Sequence, residues 1–148
     1  MDAGRINELL ALAEGKGLGK ARKVAAEALG TSPSKKSITN GCALTLSHML
    51  HQAGADIPLI DNSGQLAKYL EENRDWKRVA VGSHRRGDVG VTYDTGGVDG
   101  ADHIFLILGV LGNDEVLTAD NQDVEPHPRS LKNVGTYTET EYFLRASW

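Results

Sequence analysis

The chain has one cysteine, Cys42, among its 148 residues, and so no internal disulfide. Its stability has to come from a buried core, and the lone thiol is either a packing residue or a reactive group. No apolar run approaches the roughly 20 residues of a membrane-spanning helix, so no membrane span is expected. Basic residues are not in excess: 16 Lys and Arg stand against 20 Asp and Glu, for a net charge of -4 and an isoelectric point near 5.7. That balance argues against gripping nucleic-acid backbone, which needs a basic field, and nucleic acid is not an expected partner. Internal repeats and low-complexity tracts are also missing. Met1-Asp2-Ala3-Gly4-Arg5 leads into a mixed helical pattern and not into the long apolar stretch of a secretory signal. Export would use another route or a larger parent chain.

What is present suits one globular domain over residues 1–148. Hydrophobic residues make up 40% and charged residues 24%, and the mean hydropathy is -0.33, as in ordinary globular proteins of a length able to bury a core. Ile6, Leu9, Leu10 and Ala13 recur at helical spacing, and Ala21, Val24, Ala25, Ala28 and Leu29 repeat it before Gly30; a flexible turn is expected over residues 15–19. A polar connection over 31–40 leads to a third helix over about 42–53, stopped by Gly54. A fourth helix follows Asn62 or Ser63, with Leu66, Ala67 and Leu70 on its apolar side. Beyond it, short β-branched or apolar runs at 76–81, 88–93, 103–110, 115–119 and 142–146 predict strands. Helices first and strands afterwards imply an α+β fold, with N-terminal helices packed on a small antiparallel sheet. Residues 1–30 are the helical N-terminal part and 40–146 the core that carries the chemistry.

Cys42 follows Asn40 and Gly41 at the start of the third helix. Unpaired N–H groups and the positive end of the helix dipole favour thiolate there, and can stabilise an oxyanion formed by its attack on a carbonyl. From this segment alone, nucleophile and small buried hydrophobe are evenly matched. A nucleophile needs a base. His48 and His51 lie six and nine residues beyond Cys42 on the same helix, not at the spacing of three or four that makes neighbours. His103 opens the most apolar strand, Ile104 to Leu108, and can face a helix start across a groove. The following strand ends in Asp120-Asn121, which antiparallel pairing would bring beside the imidazole. Asn121 is the first candidate to orient the ring and Asp120 the second, although both are also ordinary turn residues.

The order Asn40-Gly41-Cys42-Ala43, Arg86-Gly87-Asp88-Val89, His103-Ile104 and Asp120-Asn121 resembles the CHAP and NlpC-type cysteine amidases, papain-like peptidoglycan hydrolases. The resemblance covers about residues 21–145. It implies Cys42 as nucleophile, His103 as general base and later acid, Asn121 or Asp120 as orienting group, a peptidoglycan peptide as substrate and no cofactor or metal. Gly41 stands where the family has an acidic residue or glutamine, so oxyanion stabilisation would fall to the Cys42 N–H and the Asn40 side chain. Tyr93 and Gly97 would shape the groove. The implied place of action is the cell wall, reached by a non-classical route, within a larger chain or from a phage; otherwise the protein is cytoplasmic. The same triad could serve a transferase, deamidase or protease acting on a protein, and the same fold could be a catalytically silent module such as a phage component. An inhibitor protein is neither implied nor excluded.

Three other motifs are set aside. Residues 15–21 have the wrong spacing for a phosphate loop and Ala21 in place of its Ser or Thr. Arg86-Gly87-Asp88, formally an adhesion tripeptide, is explained by turn chemistry. His48 and His51 have no partner at metal-ligand spacing.

Overall fold

A computed structural model of the chain describes residues 2–94, 102–134 and 137–147. A 3-10 turn, Asp2–Arg5, precedes four helices: α1 (Ile6–Glu14), α2 (Gly17–Leu29), α3 (Cys42–Gln52) and α4 (Ser63–Arg74). Six strands follow: β1 (Lys77–Val79), β2 (Val89–Thr92), β3 (Ile104–Gly112), β4 (Glu115–Ala119), β5 (His127–Ser130) and β6 (Thr140–Arg145). They form one antiparallel sheet in the order β1-β6-β2-β3-β4-β5. The architecture is α+β.

Local chemistry sets the helix limits. Gly30 takes the left-handed conformation (φ 69) and returns its N–H to the last turn of α2, where a side chain would be strained. Asn62 caps α4 by accepting the Gln65 N–H at 2.9 Å. The expected flexible turn at 15–19 is corrected: α2 already begins at Gly17. A Cβ there would lie 2.6 Å from the Leu12 Cβ, so the glycine permits close approach of α1 and does not supply flexibility.

The helices cover one face of the sheet. Leu9, Leu46, Met49, Leu50, Leu66 and Leu70 pack with Ile104, Leu106 and Leu144 in the main core. On the opposite face Phe105, Ile107, Val116, Leu131 and Phe143 form a second cluster. β3 is thus buried on both sides, which accounts for its uninterrupted apolar run. Opposite Phe105, Gly90 leaves its ring room: a Cβ would lie 2.1 Å from Cζ.

Two strand expectations change. The run at 76–81 yields a strand of three residues: Trp76 leaves the ladder to bury its ring and donate Nε1–H to Asp2 at 2.9 Å, and a turn in which the Ala80 carbonyl accepts the Ser83 N–H ends the strand. Strand β5 was not anticipated. It contains Pro128, which lacks an N–H and suits a sheet edge, where β5 lies. Asp88 of the adhesion-like tripeptide is 1% exposed and forked by Arg145 at 2.8 and 2.7 Å, so it has no face to offer a receptor. Among the described residues, no helix is long and apolar enough to cross a membrane.

Candidate active site

Cys42 is the first residue of α3, and a tight turn delivers it there. The Ile38 carbonyl accepts the Gly41 N–H at 2.9 Å. Asn40 takes a left-handed conformation (φ 63), which asparagine tolerates better than most residues. A Cβ on Gly41 would stand 2.9 Å from the Ile38 oxygen. The absence of a larger residue before the cysteine therefore has a steric reason in this turn.

The approach to Cys42 is held from two sides. Buried Arg22 on α2 donates from Nη2 to the carbonyls of Lys35, at 2.7 Å, and Lys36. From the end of β4, Asn121 Nδ2 donates to the Ile38 carbonyl at 2.6 Å, and the Asn121 carbonyl accepts the Ile38 N–H at 2.9 Å. Asn121, first candidate to orient the imidazole, instead clamps the segment that leads into Cys42.

The ring is held by Asp120. Pairing of Leu106 with Ala119 sets the end of β4 beside the start of β3, and His103 Nε2 lies 2.9 Å from Asp120 Oδ2. The backbone N–H of His103 donates to Thr92 Oγ1 at 2.9 Å, and its ring stacks on Phe105 at 5.7 Å between centroids. Asp120 Oδ1 accepts from the Gln122 N–H and lies against His127 Nε2, each at 2.8 Å. No motif in the sequence points to His127. Its place follows from the register of β5, where it sits opposite Thr118; without that strand no signal marks it.

The imidazole of His103 lies close enough to the Cys42 thiol for each to shift the other's titration. With Nε2 facing Asp120, the nitrogen left for sulfur is Nδ1. Burial by itself would raise the thiol pKa, but hydrogen bonding and charge from His103, with contributions from the Ile104 backbone and the Ser63 side chain, hold it below its ordinary value. Burial opposes charge on His103 too, yet Asp120 and Cys42 raise its pKa to about 9. For Asp120, burial is outweighed by the two histidines, and its carboxyl is held far below the usual range. All three directions favour thiolate, imidazolium and carboxylate in a row.

The remaining candidates are dispersed. Asn40 is exposed on the turn before Cys42. Tyr93 is exposed just beyond β2, its N–H on the Glu139 carbonyl at 3.1 Å. Gly97 lies outside the described residues. His51 is exposed, while His48 lines a cavity with Lys16 and Lys20; no metal-binding group of three or more His, Cys, Asp or Glu occurs among the described residues. A cavity of about 470 Å³ runs between α4, β2 and β6, lined by Gly64, Lys68, Glu71, Arg78, Thr92 and Tyr142 among others. Neither Cys42 nor His103 lines it; of its lining residues, Gly64 adjoins Ser63 in sequence and Thr92 accepts the His103 backbone N–H. Comparison with protein-family models and with curated proteins gives no match.

Proposed function

We propose that this chain is a cysteine amide hydrolase of the papain-like type, with peptidoglycan peptides as substrate. The observation that carries the reading is the buried row of Cys42, His103 and Asp120, with a thiol beside an imidazole whose Nε2 faces a carboxylate at 2.9 Å. The Cys42 thiolate attacks the carbonyl carbon of an amide, and the charge moves to oxygen beside the N–H groups opening α3. His103 passes its proton to the departing amine as the C–N bond breaks, leaving a thioester. Water then gives a proton to His103 and adds to the thioester, and the thiolate leaves. Asp120 keeps the ring oriented and stabilises its charge throughout. The choice of peptidoglycan rests on the order of Asn40-Gly41-Cys42-Ala43, His103-Ile104 and Asp120-Asn121.

The test is release of new amino groups from purified peptidoglycan. The wild type is expected to release them, and Cys42→Ala to lose at least about a thousandfold in rate. A Cys42→Ala chain that still clears peptidoglycan would sink the mechanism. A wild type that leaves all peptidoglycan intact and instead cleaves or modifies a protein would replace the substrate while keeping the triad.

A further inference from the structure

Asp120 serves two imidazoles, and the proposed reaction needs one. Oδ2 faces His103, while Oδ1 faces His127. The other ring nitrogen of His127, Nδ1, lies 3.0 Å from the Pro128 carbonyl. Both nitrogens of His127 thus face oxygens that only accept. A neutral ring would set a bare lone pair against one of them, whereas an imidazolium donates to both. His127 is also partly open to solvent, on a cavity of about 270 Å³ with Lys36, Ser37, Gln122, Asp123 and Tyr137.

We propose that His127 is a positioning residue of the same site: as an imidazolium it shares the Asp120 carboxylate and so limits how tightly that carboxylate holds the proton on His103. The inference rests on the Cys42–His103–Asp120 reading above. With one oxygen committed to each ring, Asp120 is fixed in orientation, and the cation at His127 offsets part of its charge. A carboxylate bound to His103 alone would hold that proton more firmly and surrender it to a leaving amine more slowly.

The charged and titratable groups around His127 come from several elements. Asp120 and Asp123 lie on the β4–β5 connection, and Asp123 pairs with Lys36 from the α2–α3 connection at 3.6 Å. Arg129 on β5 lies over the Phe105 and Tyr137 rings and donates to Gln122. Tyr137 donates its hydroxyl to the Pro128 carbonyl at 3.3 Å. Burial opposes charge on His127, but Asp120 in contact, the Pro128 carbonyl and Asp123 overcome it.

Nitrogen NMR of the imidazoles in the full chain tests the role without any substrate. Both nitrogens of His127 are expected to be protonated at pH 7. In His127→Gln, which keeps an amide donor for Asp120 but removes the charge, the His103 midpoint is expected to rise by about one unit, a tenfold gain in proton affinity. An unchanged or lowered midpoint overturns the proposal. So does a wild-type His127 with a bare nitrogen at pH 7, a measurement that stands even if the variant does not fold. Expected titrations in a chain that cleaves no peptidoglycan would keep this role and remove the substrate; cleavage with an unchanged His103 midpoint would do the reverse.

Discussion

Asp88 and Asp120 invite comparison. Both are almost fully buried, at 1% and 2% exposure. Each accepts three hydrogen bonds: Asp88 from Arg145 Nε and Nη2 and the Arg85 N–H, Asp120 from His103, His127 and the Gln122 N–H. Asp88 reaches a residue 57 positions away, whereas the histidines of Asp120 lie 17 and 7 positions from it. The difference lies in the partner's proton. Arginine keeps its proton at every accessible pH, so Asp88 and Arg145 form a permanent pin between the start of β2 and the end of β6. Histidine gives its proton up within the accessible pH range, and His103 has a thiol on its far side. Burial and ion pairing mark pins as readily as candidate sites; a releasable proton beside a thiol separates them.

The comparison breaks most sharply at Asp120. Asp120→Asn keeps the shape but removes the charge that holds the His103 imidazolium, and hydrolysis is expected to fall by about a thousandfold or more. Steady-state kinetics and alkylation of Cys42 near neutral pH report this independently. The matching change at Asp88 should act on the other axis. Asp88→Asn leaves the Arg145 fork half-answered and is expected to cost about 3 kcal/mol of stability in denaturant unfolding. Its rate per folded molecule should stay within about twofold of wild type, and a large loss in that rate would mean that the Asp88 pin reaches the chemistry.

These two aspartates also show what was legible in advance. The start of α3 at Cys42 and the strand beside His103 rest on local signals: a turn with glycine, a helical period, an apolar run. Which of Asp120 and Asn121 meets the ring depends on the pairing of β4 with β3 and on the direction of two neighbouring side chains, and neither is local. Residues 57 apart form the Asp88–Arg145 pin, beyond the reach of any sequence period. Strand β5 was hidden by Pro128 and by its polar composition, and with it the contact of His127 with Asp120.

The pH dependence of stability sharpens the contrast further. His103 has its pKa raised from 6.5 to about 9 in the fold, so its contribution is complete below pH 6.5 and is lost as pH rises toward 9. Asp120, held low, contributes fully above its unfolded value of 3.8 and loses this as pH falls below it. Cys42, lowered from 9.0, acts against His103 on the alkaline side, because the folded chain has already released a proton that the unfolded thiol still holds. Removing the thiol should therefore expose the histidine. Cys42→Ala is expected to steepen the fall in unfolding free energy above pH 6.5, over a window that closes below 9 because the thiol no longer helps to raise His103, measured by denaturant titration at several pH values. Equal slopes in the two proteins would mean that Cys42 and His103 do not share a proton. Arg145 adds nothing in this range, because its proton stays in place.

The smallest effect is expected next door to Asp120. Asn121 is as buried as Cys42 and His103 and adjacent to Asp120 in sequence, yet its amide is spent on the Ile38 carbonyl. In Asn121→Ala that carbonyl keeps the Gly41 N–H, and the backbone bond from the Ile38 N–H to the Asn121 carbonyl remains. The change also removes Oδ1, a buried oxygen with no hydrogen-bond partner among the described residues. The expected cost is thus about 1 kcal/mol of stability and a few-fold in rate, through a looser approach to Cys42, with the His103 titration unmoved. A loss as large as that of Asp120→Asn, accompanied by a shift of the His103 midpoint, would mean that the ring turns to Asn121 when substrate is bound. The clamp and the orienting group would then exchange roles.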